Sequence, residues 1–255
     1  MAAREKLSAL IITRNEIGHI RECLESVSFA DEIVVVDDFS TDGTWEFLNH
    51  HPDVKAIQRP FDDFTSQKSF ALQQAAHNWV LFIDADERVT KALQREIEAT
   101  VNKPGACVAW YFYRQFIMNG KPLRYSGLQT DKVYRLFKKD AVYFDPDRVV
   151  HEDLIVKGKS CVLHHKLLHY FYTDYETYKR KMLRYGRLRG LEEYRKGVRS
   201  TWFHRYIKPL YKFLTHYIIR LGILDGKNGY IVSYLNALGV YERYRELRRL
   251  RAGKK

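Results

Sequence analysis

The sequence predicts an α/β chain: a mostly parallel sheet with helices on both faces, followed by a basic, amphipathic α-helical C-terminal region. Strand-length apolar runs alternate with helix-period segments through the first half, which is the signature of βαβ units. Trp79 to Ile83 is an unbroken apolar run, as in a strand buried on both faces of a parallel sheet. The charge then divides the chain. Residues 1–172 hold 22 Lys/Arg against 24 Asp/Glu, whereas residues 173–255 hold 21 against 7 and 11 of the 18 tyrosines. The positive charge therefore belongs to the second part, and a boundary near Tyr172 is expected, giving domains 1–172 and 173–255.

Leu7 to Ile12 is the first strand, ending at Thr13-Arg14-Asn15-Glu16; Ile17, Ile20, Leu24 and Val27 follow at helical spacing. Glu32 to Val36 is the second strand and ends in Asp37 and Asp38. Ser40, Asp42 and Gly43 supply turn and capping chemistry for a short helix through Leu48. Val54 to Ile57 is a third strand, Gln67 to His77 a helix, and Trp79 to Ile83 the fourth strand. Thr90 caps a helix through Thr100. Val108 to Phe116 and Lys132 to Lys138 are later strands, with a turn at Asn119 to Pro122 between them. Beyond Thr173, Tyr178, Met182, Tyr185, Leu188 and Leu191 line one side of a helix. Arg205, Lys208, Lys212, His216 and Arg220 form a basic stripe opposite an apolar side. Pro209 opens or kinks that helix, and Gly222, Gly226 and Gly229 break the chain before a last amphipathic helix.

Composition narrows the function classes. Cys23, Cys107 and Cys161 have no paired or metal-type spacing, which suits a reducing compartment. The N-terminus runs almost directly into a strand pattern, so no secretory signal is expected, and no run reaches the ~18 apolar residues of a spanning helix. There is no Ser–His–Asp arrangement and no Gly-x-Gly-x-x-Gly turn, which argues against hydrolases and dinucleotide enzymes.

The chemistry concentrates at strand ends. In open α/β sheets ligands bind outside the carboxyl ends of the strands, and Thr13, Asp37/Asp38 and Asp84/Asp86 all fall there. Asp84, Ala85, Asp86 and Glu87 place three carboxylates at the end of a buried strand, where unpaired charge is costly and a cation is required. Asp84 and Asp86 are two apart and point the same way in an extended segment. Two hard oxygen ligands with positions left over suit Mg²⁺ or Mn²⁺ shared with substrate phosphates. Acidic residues also simply end strands and cap the next helix, so it is the three strand ends together that point to a site.

LIITRNE, IVVVDDFSTDGT and QKSFALQQAAHNWVLFIDADE resemble family 2 glycosyltransferases of the GT-A fold. The later KVYRLFKKD, VVHEDL and LLHYFYTDYETYKRKM resemble the lipopolysaccharide-core β-glucosyltransferase group. The resemblance implies a nucleotide-sugar donor, a divalent metal, and transfer with inversion at the anomeric carbon. It would place Thr13, Asn15 and Glu16 in the uridine pocket, Asp37 or Asp38 at the base or ribose, and Lys68 near the diphosphate. Asp84 would lie near the ribose or metal, with Asp86 the main protein ligand and His169 a further metal or diphosphate contact. Lys68 also fits a solvated helix position, and Glu16 an ordinary first-turn carboxylate.

Inversion needs a base for the acceptor hydroxyl. Asp145, Asp147, Glu152 and Asp153 come from one short region, and the resemblance favours Glu152, then Asp153; pairing of Glu152 with Arg148 or Arg135 is the structural alternative. Two other functions compete. A nucleotidyltransferase would open on a glycine-rich phosphate loop, which Thr13-Arg14-Asn15-Glu16 lacks; a basic tail with interleaved tyrosines also suits nucleic acid. The stripe opposite a broad apolar side fits an interfacial helix on anionic lipid better, or packing on the catalytic part or a second subunit. The sequence thus predicts a cytoplasmic enzyme, peripheral on the inner face of the plasma membrane, acting on a saccharide or lipid-linked acceptor and not on nucleic acid.

Overall fold

The computed structural model describes residues 5–103, 105–145, 154–170 and 175–253. The chain divides into two compact units, residues 1–114 with 132–169, and residues 115–131 with 170–255. Segment 115–131 thus belongs with the C-terminal helices, an exchange that composition does not register.

In the first unit, β1 (Leu7–Thr13), β2 (Glu32–Asp37), β3 (Lys55–Gln58) and β4 (Trp79–Asp84) are parallel and ordered β3-β2-β1-β4. Between them lie α1 (Ile17–Val27), α2 (Thr44–Asn49) and α3 (Phe64–Gln74). β5 (Glu87–Arg88) and α4 (Lys91–Asn102) follow the fourth strand. β6 (Cys107–Met118) runs on into the second unit, where its end pairs with β7 (Lys121–Pro122). β8 (Lys132–Lys138) inserts antiparallel between β4 and β6. β9 (Val142–Phe144) and β10 (Leu154–Val156) form a separate ribbon. β11 (Lys159–Val162) lies parallel to β6, and β12 (Leu167–Tyr170) lies between β6 and β5.

Strand alternation explains why helices cover both faces. Leu7, Ala9 and Ile11 of β1, with Leu81 and Ile83 of β4, pack under Ile20, Leu24, Leu93 and Ile97 of α1 and α4. Leu10, Val34, Val80 and Phe82 point the other way, onto Ala71 and Leu72 of α3 and Val142 of β9. The expected helix from Gln67 instead starts at Phe64, because Asp63 Oδ1 accepts from Ser66 N at 2.8 Å as an N-cap. Cys107 and Cys161, expected to be unpaired, are joined by a disulfide bond, while Cys23 is buried and free. The strand pairing of β11 with β6 brings them to 6.0 Å at Cα, although the register sets Lys159 opposite Cys107 and Cys161 opposite Trp110, and a sequence separation of 54 residues conceals their closeness.

The second unit is built on α5 (Tyr175–Arg195), α6 (Trp202–Leu214) and α7 (Gly226–Ala252), with a π-helical turn at Thr215–Ile219 and a 3₁₀ turn at Gly222–Asp225. The face of α5 that packs differs from the expected one. Tyr178 is buried, whereas Tyr185 and Leu188 are exposed, and Gly186 and Gly190 meet α7. A Cβ on Gly190 would stand 2.6 Å from the Arg243 carbonyl oxygen, so the missing side chains set the helix separation. Gly229 does not break the chain; it lies inside α7, where a Cβ would overlap the Gly222 carbonyl. Pro209 likewise lies buried inside α6.

Most of the basic stripe packs inward, whereas Arg220 stays exposed. Arg205 Nη2 donates to Tyr241 Oη at 3.1 Å and Lys208 Nζ to Tyr244 Oη at 3.0 Å, both tyrosines on α7. His216 is buried, its Nδ1–H donating to the Ser126 carbonyl at 2.7 Å, and burial with Lys212 and Arg220 nearby lowers its pKa to about 4. Long aliphatic stems and tyrosine hydroxyl acceptors let these cations pack inward. The apolar side is the one left outside.

Candidate active site

The carboxyl end of β1 is tied to that of β2. Asp38 N donates to the Thr13 carbonyl at 2.9 Å, and Arg14 Nη1 to Asp38 Oδ2 at 2.7 Å. Asn15 takes the left-handed region, φ 54°, a conformation Asn tolerates. Its N–H reaches Ser40 Oγ at 2.8 Å, its Oδ1 accepts from Thr41 N at 2.8 Å, and Glu16 N donates to Thr44 Oγ1 at 3.0 Å. Asp37 is buried and accepts from Ser40 N, Ser40 Oγ and Gln58 Nε2. Asp38 accepts from Phe61 N as well as Arg14. Both carboxylates of the second strand end therefore hold the loops around Thr13 to Glu16 in place.

At the end of β4 the three carboxylates are treated differently. Arg135, a buried cation on β8, donates to Asp84 and, at 2.8 Å, to Glu87. Arg114 approaches Glu87 at 3.6 Å. Burial pushes the Asp84 carboxyl up, but Arg135, Lys68 and His169 outweigh it and hold the group below its ordinary range. For Glu87 burial prevails over Arg135 and its pKa is raised. Lys68 stands 5.7 Å from the Phe82 ring centroid, on the Asp84 side of the sheet end. Asp86 is partly open, 33% exposed at its side chain, and its Oδ2 lies 3.1 Å from His169 Nε2.

The β5–β12 register, His169 opposite Glu87, is what delivers the imidazole to Asp86 from 83 residues away. His19 adds a second imidazole near Asp86, its pKa lowered by burial and by Arg88. Arg88 pins the turn: it donates to the carbonyls of Ala85 and Glu87 at 2.8 Å and of His19 at 2.6 Å. Among the described residues no three His, Cys, Asp or Glu side chains converge on one point. One carboxylate oxygen and one imidazole nitrogen fit a divalent ion whose remaining ligands come from substrate phosphate.

Asp84, Asp86, Lys68 and His169 are thus brought together, while Thr13 to Glu16 and Asp37/Asp38 form a neighbouring set at the ends of β1, the strand beside β4, and of β2, the next one. Glu152 and Asp153, with Asp147, lie outside the described residues; Asp145 follows β9. Arg135, Arg114, Arg88 and His19 were not foreseen as site residues. Arg135 carried a signal, the one charge within the apolar run Val133 to Phe137, and it pairs with Asp84 and Glu87.

Comparison with known proteins agrees with this architecture. The family model described as Glycosyl transferase family 2 matches residues 8–155, and the chain belongs to that family. It is similar to the lipopolysaccharide core biosynthesis glycosyltransferase LpsC of Rhizobium meliloti, 27% identical across 96% of this chain and 95% of that protein. An uncharacterized glycosyltransferase of Rickettsia felis is 30% identical over 96% of this chain and 90% of its own. Among solved structures, the mannosyltransferase PcManGT of Pyrobaculum calidifontis, in complex with GDP-Man and Mn²⁺, shares the fold. It superimposes with a TM-score of 0.54 at 14% identity, over 96% of this chain and 88% of that one. The chain is a glycosyltransferase with the expected GT-A fold and a C-terminal helical region.

Proposed function

We propose that the chain is an inverting, metal-dependent glycosyltransferase that moves a sugar from a nucleotide-sugar, UDP-linked on the family resemblance, to a saccharide or lipid-linked acceptor. The name of its relative LpsC supports a place in lipopolysaccharide core-like biosynthesis, with the enzyme peripheral on the inner face of the membrane. The observation that carries the reading is the partly open Asp86–His169 pair beside the Arg135-held Asp84. Asp86 and His169 would hold Mg²⁺ or Mn²⁺, which supplies positive charge to the diphosphate; the Mn²⁺ in the PcManGT complex supports this. Lys68 adds a second cation where the leaving group gains charge. Thr13, Asn15 and Glu16, braced by Asp37 and Asp38, would receive the nucleoside, and Asp84, held by Arg135, the ribose. Glu152, with Asp153 second, would take the proton of the acceptor hydroxyl as it attacks.

A screen of UDP-, GDP-, ADP- and TDP-sugars for binding and hydrolysis, with Mg²⁺, Mn²⁺ or EDTA, tests this. One nucleotide should stand out, and turnover should vanish in EDTA and in Asp86→Ala with the fold intact. Glu152→Gln should lower turnover by roughly 10²–10⁴ with donor affinity unchanged. Full activity in EDTA would remove the metal, and loss of donor affinity in Glu152→Gln would move that residue into the nucleotide site.

A further inference from the structure

The second unit exposes an apolar surface that a protein in water seldom leaves bare. On α6 the cationic side packs on α7, so Trp202, Phe203, Leu210, Tyr211 and Leu214 face outward, with Trp202 69% and Tyr211 66% exposed. The surface continues through Ile218 and Ile219 of the π-helical turn to Ile223 and Leu224 of the 3₁₀ turn; Ile219 is 69% and Leu224 61% exposed. Exposed cations flank it in sequence: Arg199 before α6, Arg220 between the two turns, and Lys227 after them, while Lys196 is paired with Glu192 of α5. Arg124, also exposed, is held beside the 3₁₀ turn by its N–H bond to Asp225 Oδ1 at 2.9 Å.

Residues 196–227 contain seven Lys/Arg and a single acid, Asp225. That carboxylate is occupied by the N–H groups of Arg124 and Tyr125 and by Ser126 Oγ. The surface is therefore apolar, and the segment that carries it is strongly cationic. Tyr and Trp favour places where one end is apolar and the other wet, and cations are held by anionic headgroups. A second copy of the same face would bring like charges together. No helix among the described residues is long and apolar enough to cross a membrane, so any contact of this face with lipid would lie in the interface plane.

We propose that this face inserts into the surface of an anionic bilayer, with the α6 apolar side and the 218–224 turn at the acyl boundary and Arg124, Arg220 and Lys227 at the headgroups. The inference rests on the peripheral placement proposed above and adds which residues enter lipid. Of the basic stripe Arg205, Lys208, Lys212, His216 and Arg220, it keeps Arg220 at the headgroups, while Arg205 and Lys208 bond to Tyr241 and Tyr244.

The test is flotation of the full chain with vesicles of equal parts phosphatidylcholine and phosphatidylglycerol, and with phosphatidylcholine alone. Wild type should float with the anionic vesicles, less so at high salt. The triple variant Leu210→Gln, Ile219→Gln, Leu224→Gln should partition at least about tenfold more weakly, because it removes three side chains from the acyl boundary. Its melting temperature should match wild type, since all three side chains are exposed when folded. Brominated lipid should quench Trp202 in the wild-type chain, read as the difference from Trp202→Phe, which decides the matter if the triple variant misfolds. Wild type that fails to float with either vesicle overturns the membrane placement itself. Wild type that floats with Trp202 unquenched, or a folded triple variant that floats equally well, overturns this face alone. A dimer dispersed by the triple variant, without flotation, assigns the face to a second copy.

Discussion

Arg135 shows how one side chain determines what its neighbours do. A guanidinium buried on β8 is tolerable only with carboxylates in contact, and Asp84 and Glu87 provide them. Asp84 is thereby kept ionised at the sheet end while Asp86, two residues on, remains open beside His169. Arg135→Met removes the shared cation and leaves two acids facing each other, with Arg114 at 3.6 Å from Glu87, and Lys68 and His169 near Asp84, as remaining compensation. The expected cost is about 3–5 kcal/mol. Urea unfolding followed through the buried Trp79–Trp110 pair, 5.2 Å between centroids, reads this unit. Adding Glu87→Gln should recover a substantial share, because it removes one uncompensated charge; no recovery would mean that Arg135 acts through packing alone.

At the scale of the element, the strands and helices of residues 7–102 follow from patterning, since doubly buried strands and amphipathic helices differ in period. The Asp84-Ala85-Asp86 strand end was legible for the same reason: charge ending an apolar run is locally conspicuous. His169 beside Asp86 was legible only as a candidate, because a two-residue strand pairing sets that contact and leaves no periodic trace. Which side of α6 meets protein was not legible in the sequence. Hydrophobic periodicity identifies an amphipathic helix, but not which side meets protein, and Tyr241 and Tyr244 on α7 accept the cations. His216 at the end of that element gives a measurable consequence. Its folded pKa of about 4 lies below the ordinary 6.5, so the unfolded chain binds the proton first as pH falls. Stability of the helical unit should therefore be unaffected by this group above pH 6.5 and fall between 6.5 and about 4, by about 3 kcal/mol in all. Urea midpoints from helical circular dichroism, compared with His216→Gln, isolate the contribution. The difference between the two proteins should change across that window, and a constant difference would refute the assignment.

Across the whole molecule, chemistry and charge are kept apart: the polar strand ends belong to one compact unit and the basic helices to the other. The proposed metal has little structural work to do, because Asp86 is partly open and the core strands and helices of its unit close without it. With only a carboxylate and an imidazole as protein ligands, the ion should bind weakly alone and tightly with the donor diphosphate. Thermal unfolding distinguishes this arrangement from a structural metal. EDTA should leave the melting temperature unchanged, and metal alone should raise it little. Metal with the matching nucleotide-sugar at about 100 times its dissociation constant adds about 2.7 kcal/mol by mass action, a rise of roughly 5–10 °C for a domain of this size class. The shift should disappear in Asp86→Ala and shrink in His169→Ala. A large loss of stability in EDTA without donor would make the ion part of the fold, and a full shift from donor without metal would leave Lys68 as the cation that holds the diphosphate.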